Sequence, residues 1–169
     1  MTAVATELLP AVREFVSSER TMLINGQFVP ARSGKTFETI DPATARPITT
    51  VAHGGAADID DAVRAARDAF DNGPWQWMKP NERERLIWRV GDILTERAAE
   101  FGQLEALDNG KAATIATAVD VAWSADIFRY NAGLATKITG STVNVSMPFA
   151  PDAQFHAYTL REPVGVCGL

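Results

Sequence analysis

At 169 residues, with 46% hydrophobic and 22% charged side chains, the chain has the composition of a globular domain rather than of a disordered tail. A formal net charge of -5 excludes the basic footprint of a nucleic-acid or anionic-membrane binder. One cysteine excludes an internal disulfide framework and suits a reducing compartment, so the cytoplasm is the expected location; no apolar run approaches membrane-spanning length.

In residues 1–20, Leu8, Leu9, Val12, Phe15 and Val16 recur at helical spacing with Glu7, Arg13 and Glu14 between them. This predicts a short amphipathic helix, not a signal peptide. Met22, Leu23 and Ile24 then face Gln27, Phe28 and Val29 across Asn25-Gly26, the strongest short hairpin signal. Two more strands are expected over 36–40 and 48–52, joined through Asp41-Pro42-Ala43-Thr44. Ile59, Val63, Ala66 and Phe70 form one helical stripe, and Asp58, Asp60 and Asp61 crowd the first turn, where the helix dipole favours negative charge.

Pro80 opens the next helix, marked by Leu86, Val90 and Ile93 and continuing or restarting through Phe101, Leu104 and Leu107. Asn109-Gly110 reads as a left-handed C-cap. A long third helix is expected from about 114 to 137, with Ile115, Val119, Ala122, Ile127, Tyr130 and Leu134 inward and Gly140 beyond its end. Strands over 142–147 and 153–161 follow, the second apolar on both faces through Phe155, His156, Tyr158 and Leu160, so this hairpin wants a partner. The final run, Val164-Gly165-Val166-Cys167-Gly168-Leu169, lacks polar alternation and fits a strand covered on both faces of a parallel sheet. Such a strand needs a crossover helix and a parallel neighbour, so the chain is expected to be the front part of a larger molecule.

Few residues suggest chemistry by themselves. Cys167 has no acid, base or helix N-terminus near it in sequence and reads as packing. His53 and His156 have no partner at metal-ligand spacing. Gly110-Lys111 lacks the glycine and the Ser or Thr that a phosphate loop requires, since position 105 is Glu and position 112 is Ala. The cluster Arg83, Arg85 and Arg89 is interleaved with Glu82 and Glu84, and Asp92, Glu96 and Glu100 lie four apart; both read as solvated helix faces.

Six segments taken in order nevertheless resemble the N-terminal part of the aldehyde dehydrogenase superfamily. They are 23–28 (LINGQF), 37–44 (FETIDPAT), 60–67 (DDAVRAAR), 104–111 (LEALDNGK), 128–133 (FRYNAG) and 161–168 (REPVGVCG). Within the superfamily, 130–140 (YNAGLATKITG) and 146–148 (SMP) look most like phenylacetaldehyde dehydrogenases.

The resemblance implies an α/β fold, α+β in the part present: β-hairpins and three or four helices leading into the first strand of a Rossmann-like parallel sheet, an incomplete domain. It divides the chain into an N-terminal segment (1–20), the N-terminal part of a dinucleotide-binding domain (21–140), an oligomerisation hairpin (141–162) and a truncated sheet strand (163–169). It implies oxidation of an aldehyde to a carboxylic acid with NAD or NADP, through a thiohemiacetal on a cysteine that lies further on. Cys167 matches a strand position, so no catalytic and no cofactor-binding residue is expected in this chain, which should be inactive alone.

Three positions on the third helix, Val119, Trp123 and Ile127, match tunnel-facing residues for the aldehyde; the rival reading of Trp123 is core packing. Thr39, Ile40 and Asp108 match a structural monovalent-cation site for Na or K. The rival reading of Asp108 is an ordinary acid in a helix C-terminal turn, a place the dipole disfavours. The hairpin implies a homo-dimer or tetramer. The alternative function is a short non-catalytic subunit that assembles with full-length aldehyde dehydrogenase chains.

Overall fold

The computed structural model describes residues 7–169, so the first six residues of the expected N-terminal helix lie outside it. Helix α1 (Pro10–Val16) is anchored by one amide: Leu9 N–H donates to Gln103 Oε1 at 2.8 Å, and Gln103 Nε2 donates to the Glu7 carbonyl at 3.2 Å. Strands β1 (Met22–Ile24) and β2 (Gln27–Val29) pair antiparallel in the expected register. Both turn residues take positive φ, 52° at Asn25 and 72° at Gly26, which this two-residue hairpin demands.

Strands β3 (Thr36–Asp41) and β4 (Arg46–Ala52) form a second antiparallel pair, two residues longer at the turn end of β4 than the sequence suggested. A bulge between Thr39 and Ile40 shifts the register, so that Thr39 faces Thr49 but Ile40 faces Pro47. Arg20 adds a parallel bridge to Val51 on the free edge of β4.

Four helical stretches follow: α2 (Ala56–Asn72), α3 (Pro80–Glu96), α4 (Ala98–Asn109) and a broken run made of α5 (Ala113–Ile115), a π-helical turn (Ala116–Val121) and α6 (Ala122–Leu134). A 3₁₀ turn (Pro74–Trp77) links α2 to α3. Pro80 is the first residue of α3, and Gly110 ends α4 in the left-handed region, both as the sequence implies.

The core is made of small residues. Ala31, Ala52, Ala116, Ala125 and Ala132 are buried with Val12 and Val121. Helices α3 and α6 cross where Gly91 meets Ala125: a Cβ at Gly91 would stand 2.8 Å from the Ala125 carbonyl oxygen. Helix α4 meets the π turn in the same way, because a Cβ at Gly102 would collide with Thr117, whose Cα lies 2.9 Å from it.

This corrects the expected inward faces. In the third helical run, Ile115, Val119, Ala122, Ile127, Tyr130 and Leu134 are exposed, and the buried positions are instead Ala116, Val121, Ala125 and Ala132. The run also ends at Leu134 and not near 137. The apolar stripe of α2 is uncovered too: Ile59 is 61% exposed, because β1 and the 3₁₀ turn are the elements packed against this helix.

The late β structure is smaller than expected. Strands β5 (Thr142–Val143) and β6 (Ala157–Tyr158) pair over two residues each, and 144–156 is irregular. Residues 163–169 form no strand, and Val164 is 95% exposed. A strand is a hydrogen-bonded partner of another strand, and none of the three two-stranded sheets among the described residues includes this segment. The expected first strand of a parallel sheet is therefore not formed among the described residues, while the mixed helical and small-hairpin architecture is as expected.

Close approach at Gly91 predicts that Gly91→Ala forces α3 and α6 apart. Overpacking of this kind costs about 1–3 kcal/mol, and should lower the thermal unfolding midpoint by several degrees. Gly133→Ala, where the nearest atom to a new Cβ is the Lys137 Nζ at 3.8 Å, should leave the midpoint unchanged or raise it.

Candidate functional site

The three expected tunnel residues fall at successive steps of four along one exposed strip. Val119 belongs to the π turn, and Trp123 and Ile127 to α6. Trp123 is 66% exposed, which removes core packing as its role within the described residues. Ile115 and Tyr130, also exposed, continue the same apolar flank. The strip is open and encloses no cavity by itself.

The opposite side of this run is held by polar contacts that the sequence did not signal. Arg129 Nη2 donates to the Gly91 carbonyl at 3.3 Å, to Asp92 Oδ1 at 3.0 Å and to Thr95 Oγ1 at 2.9 Å, tying α6 to α3 beside the glycine crossing. At the other end, Lys111 Nζ lies 2.5 Å from Asp120 Oδ2 and 3.7 Å from Glu105 Oε1. The hydrogen bond to Asp120 is the main reason the Lys111 ammonium is held above its ordinary pKa. Thr117 Oγ1 donates to the Ala113 carbonyl at 2.8 Å inside the same turn.

The acids of the solvated α3–α4 faces, Asp92, Glu96 and Glu100, are each taken by an arginine. Asp92 pairs with Arg129, Glu96 with Arg89 at 2.6 Å, and Glu100 with Arg97 at 2.6 Å. None is left to share a proton with another acid. Cys167 is exposed, and its Sγ lies 3.9 Å from the Gly165 carbonyl oxygen, with no base beside it.

Of the expected cation ligands, Thr39 and Ile40 sit at the bulge of β3 and Asp108 in the last turn of α4. Helix α4 packs on β3, and Gly110 abuts the Pro42 ring closely enough that a Cβ would stand 2.8 Å from its Cγ. Pro47, opposite Ile40, has no N–H to give the ladder. No cluster of three or more His, Cys, Asp or Glu side chains is present among the described residues, so any ion here would depend on main-chain oxygens.

Two aspartates organise the approach to α2 and the turn after β3. Asp58, only 4% exposed, accepts hydrogen bonds from the Gly55 N–H at 2.8 Å and the Arg32 N–H at 3.0 Å. These bonds, Gly55 first, hold its carboxyl below the ordinary aspartate range. The signal was visible as an acid at the third position after Gly55, where its side chain reaches back to the helix start. Asp41 is lowered likewise, chiefly by the Thr44 hydroxyl at 2.7 Å and then by the Ala43 N–H at 2.8 Å.

Residues 164–169 carry no charged or hydroxyl side chain, and the sequence contains no G-x-G-x-x-G pattern. Among the described residues no helix is long and apolar enough to cross a membrane.

Comparison with known proteins agrees with the geometry. The aldehyde dehydrogenase family matches residues 28–169. Aldehyde dehydrogenase 1 of Tanacetum cinerariifolium is 48% identical over 147 residues, covering 87% of this chain and 28% of that protein. The mitochondrial benzaldehyde dehydrogenase of Antirrhinum majus is 43% identical over 168 residues, 99% of this chain and 30% of its own length. An NAD+ complex of the aldehyde dehydrogenase from Bacillus cereus superposes with a TM-score of 0.86 at 44% identity, over 94% of this chain and 31% of the other. The chain thus spans about 30% of the length of each of these three proteins.

Lowered folded-state pKa values at Asp58 and Asp41 stabilise the fold at pH above about 3.9, the unfolded value, and that contribution is lost as pH falls through the folded value. The unfolding midpoint should therefore be level near neutrality and fall below about pH 4. Asp58→Asn turns an amide NH2 toward one of the two N–H donors. It should lower the midpoint by a few degrees at pH 7 and flatten the acid limb, measured by circular dichroism. Thr44→Val should raise the Asp41 pKa in an NMR titration.

Proposed function

The chain belongs to the aldehyde dehydrogenase family, and on that premise we propose that it forms the N-terminal part of an NAD- or NADP-dependent enzyme oxidising an aldehyde to the carboxylic acid. The observation that carries this reading is a fold match extending over 94% of the chain yet over only 31% of a family member. In the proposed reaction the aldehyde and water give the acid, two electrons and a proton pass as hydride to the nicotinamide, and a second proton is released. The nucleophilic cysteine, which forms the thiohemiacetal, the water-activating base and the cofactor seat belong to residues other than those of this chain.

The role of the chain is to shape the substrate side and to brace the assembly. Val119, Trp123 and Ile127 form one wall of the aldehyde tunnel, and their exposure supports this, since a wall is uncovered until the rest of a tunnel faces it. The substrate class is an aromatic aldehyde such as phenylacetaldehyde: the broad indole face of Trp123 suits a ring, and the Antirrhinum majus relative is named for an aromatic aldehyde. Thr39, Ile40 and Asp108 hold a structural Na or K ion. The 141–162 hairpin, with Phe149, Phe155, Tyr158 and Leu160 exposed, carries subunit contacts in a homo-dimer or tetramer. The lone thiol suits the cytoplasm.

The test joins residues 28–169 to the remaining two-thirds of the Bacillus cereus aldehyde dehydrogenase in place of its matched third. The chimera should reduce NAD with phenylacetaldehyde, and Trp123→Ala should raise KM for that substrate about tenfold while changing kcat little. The 169-residue chain alone should give no NADH. A folded but inactive chimera, or turnover by the chain alone, contradicts the reading. A chain that is monodisperse, melts cooperatively and co-purifies with full-length subunits points instead to the non-catalytic partner.

A further inference from the structure

The buried positions of the third helical run, Ala116, Val121, Ala125 and Ala132, follow one another at steps of five, four and seven. Steps of four and seven are α-helical. A step of five is not; it belongs to the i→i+5 ladder of the π turn. The turn therefore accommodates one residue more than an α-helix would hold between two fixed seams. One seam is Thr117 against Gly102 on α4, the other Ala125 against Gly91 on α3.

Side chains hold the turn from both sides. The Thr117 hydroxyl bonds back to the Ala113 carbonyl, a local bond that competes with regular helix geometry. Asp120, inside the turn, is fixed by Lys111, which also reaches Glu105 of α4. Removing the extra residue would turn everything before it relative to everything after it. Val119 lies within the turn and Trp123 beyond it, so the angle between these two side chains depends on the turn being π and not α.

We propose that the π turn Ala116–Val121, fixed by Thr117 on Gly102 and by Asp120 on Lys111, is a positioning device. It sets the aim of Val119 relative to Trp123 and thereby the preference for aromatic over short aliphatic aldehydes. This rests on the tunnel reading of the Val119–Trp123 face given above.

The experiment uses the active chimera and the ratio of kcat/KM for phenylacetaldehyde to that for propanal. Deleting Ala118, an exposed residue, shortens the turn by the extra residue and keeps both seams. It should shift the ratio about tenfold toward propanal, chiefly through KM for the aromatic substrate. Asp120→Asn, which removes the ion pair at constant size, should move the ratio the same way by about threefold, and Asp120→Glu should restore it. An unmoved ratio in a folded deletion variant overturns the proposal. If the deletion does not fold, equal ratios for Asp120→Asn and the parent overturn it. A parent chimera without aldehyde oxidation removes the tunnel reading and this inference together, whereas an active parent with an unmoved ratio removes this inference alone.

Discussion

Helix-to-helix approach at two glycines governs the rest of this structure. At Gly91 and at Gly102 the neighbouring backbone comes so near that a single methyl group has no room. Ala125 stands opposite Gly91 and Thr117 opposite Gly102, in a run whose buried positions include Ala116 and Ala132. Once the helices are this close, Arg129 can span from α6 to a carbonyl, a carboxylate and a hydroxyl on α3 with one guanidinium group. A planar fork with several fixed donors suits such a site better than a lysine, which offers a single point of charge.

Large apolar side chains are consequently outside this core. Burying a residue such as Ile or Phe contributes about 1.5–3 kcal/mol, whereas alanine contributes far less. Ile59, Val63, Trp123 and Leu160 therefore represent stabilisation that the described residues leave unrealised. The two-faced hairpin at β5 and β6 and the open segment 163–169 belong to the same pattern. Of these surfaces, the Trp123 face, the hairpin and the segment 163–169 are the ones to which the family resemblance assigns substrate, subunit contacts and sheet.

Local chemistry was legible in the sequence, and packing direction was not. Asn25-Gly26, Pro80 and Gly110 announced a hairpin, a helix start and a helix end because each is fixed by backbone geometry that neighbours cannot alter. The inward face of the third helical run was misread for a specific reason. A 3.6-residue template follows the large residues Ile115, Val119 and Ile127, while the observed interior follows alanines and includes a five-residue step. Hydrophobicity marks what must be covered, not what covers it. The strand over 163–169 failed to appear because a strand exists only with a partner. For the candidate site, the strip of Val119, Trp123 and Ile127 was available from resemblance, but the Arg129 and Lys111 anchors were not legible, since their partners lie far away in the chain or at non-helical spacing.

An interior of glycine and alanine has a one-sided tolerance to mutation. Little can be trimmed from it, so nearly every missense change at Gly91, Gly102, Ala116, Ala125 or Ala132 is an enlargement against backbone. Variation among functional variants should thus accumulate on the outer faces, where side chains can swell or shrink freely, while these seam positions admit little beyond what they already hold.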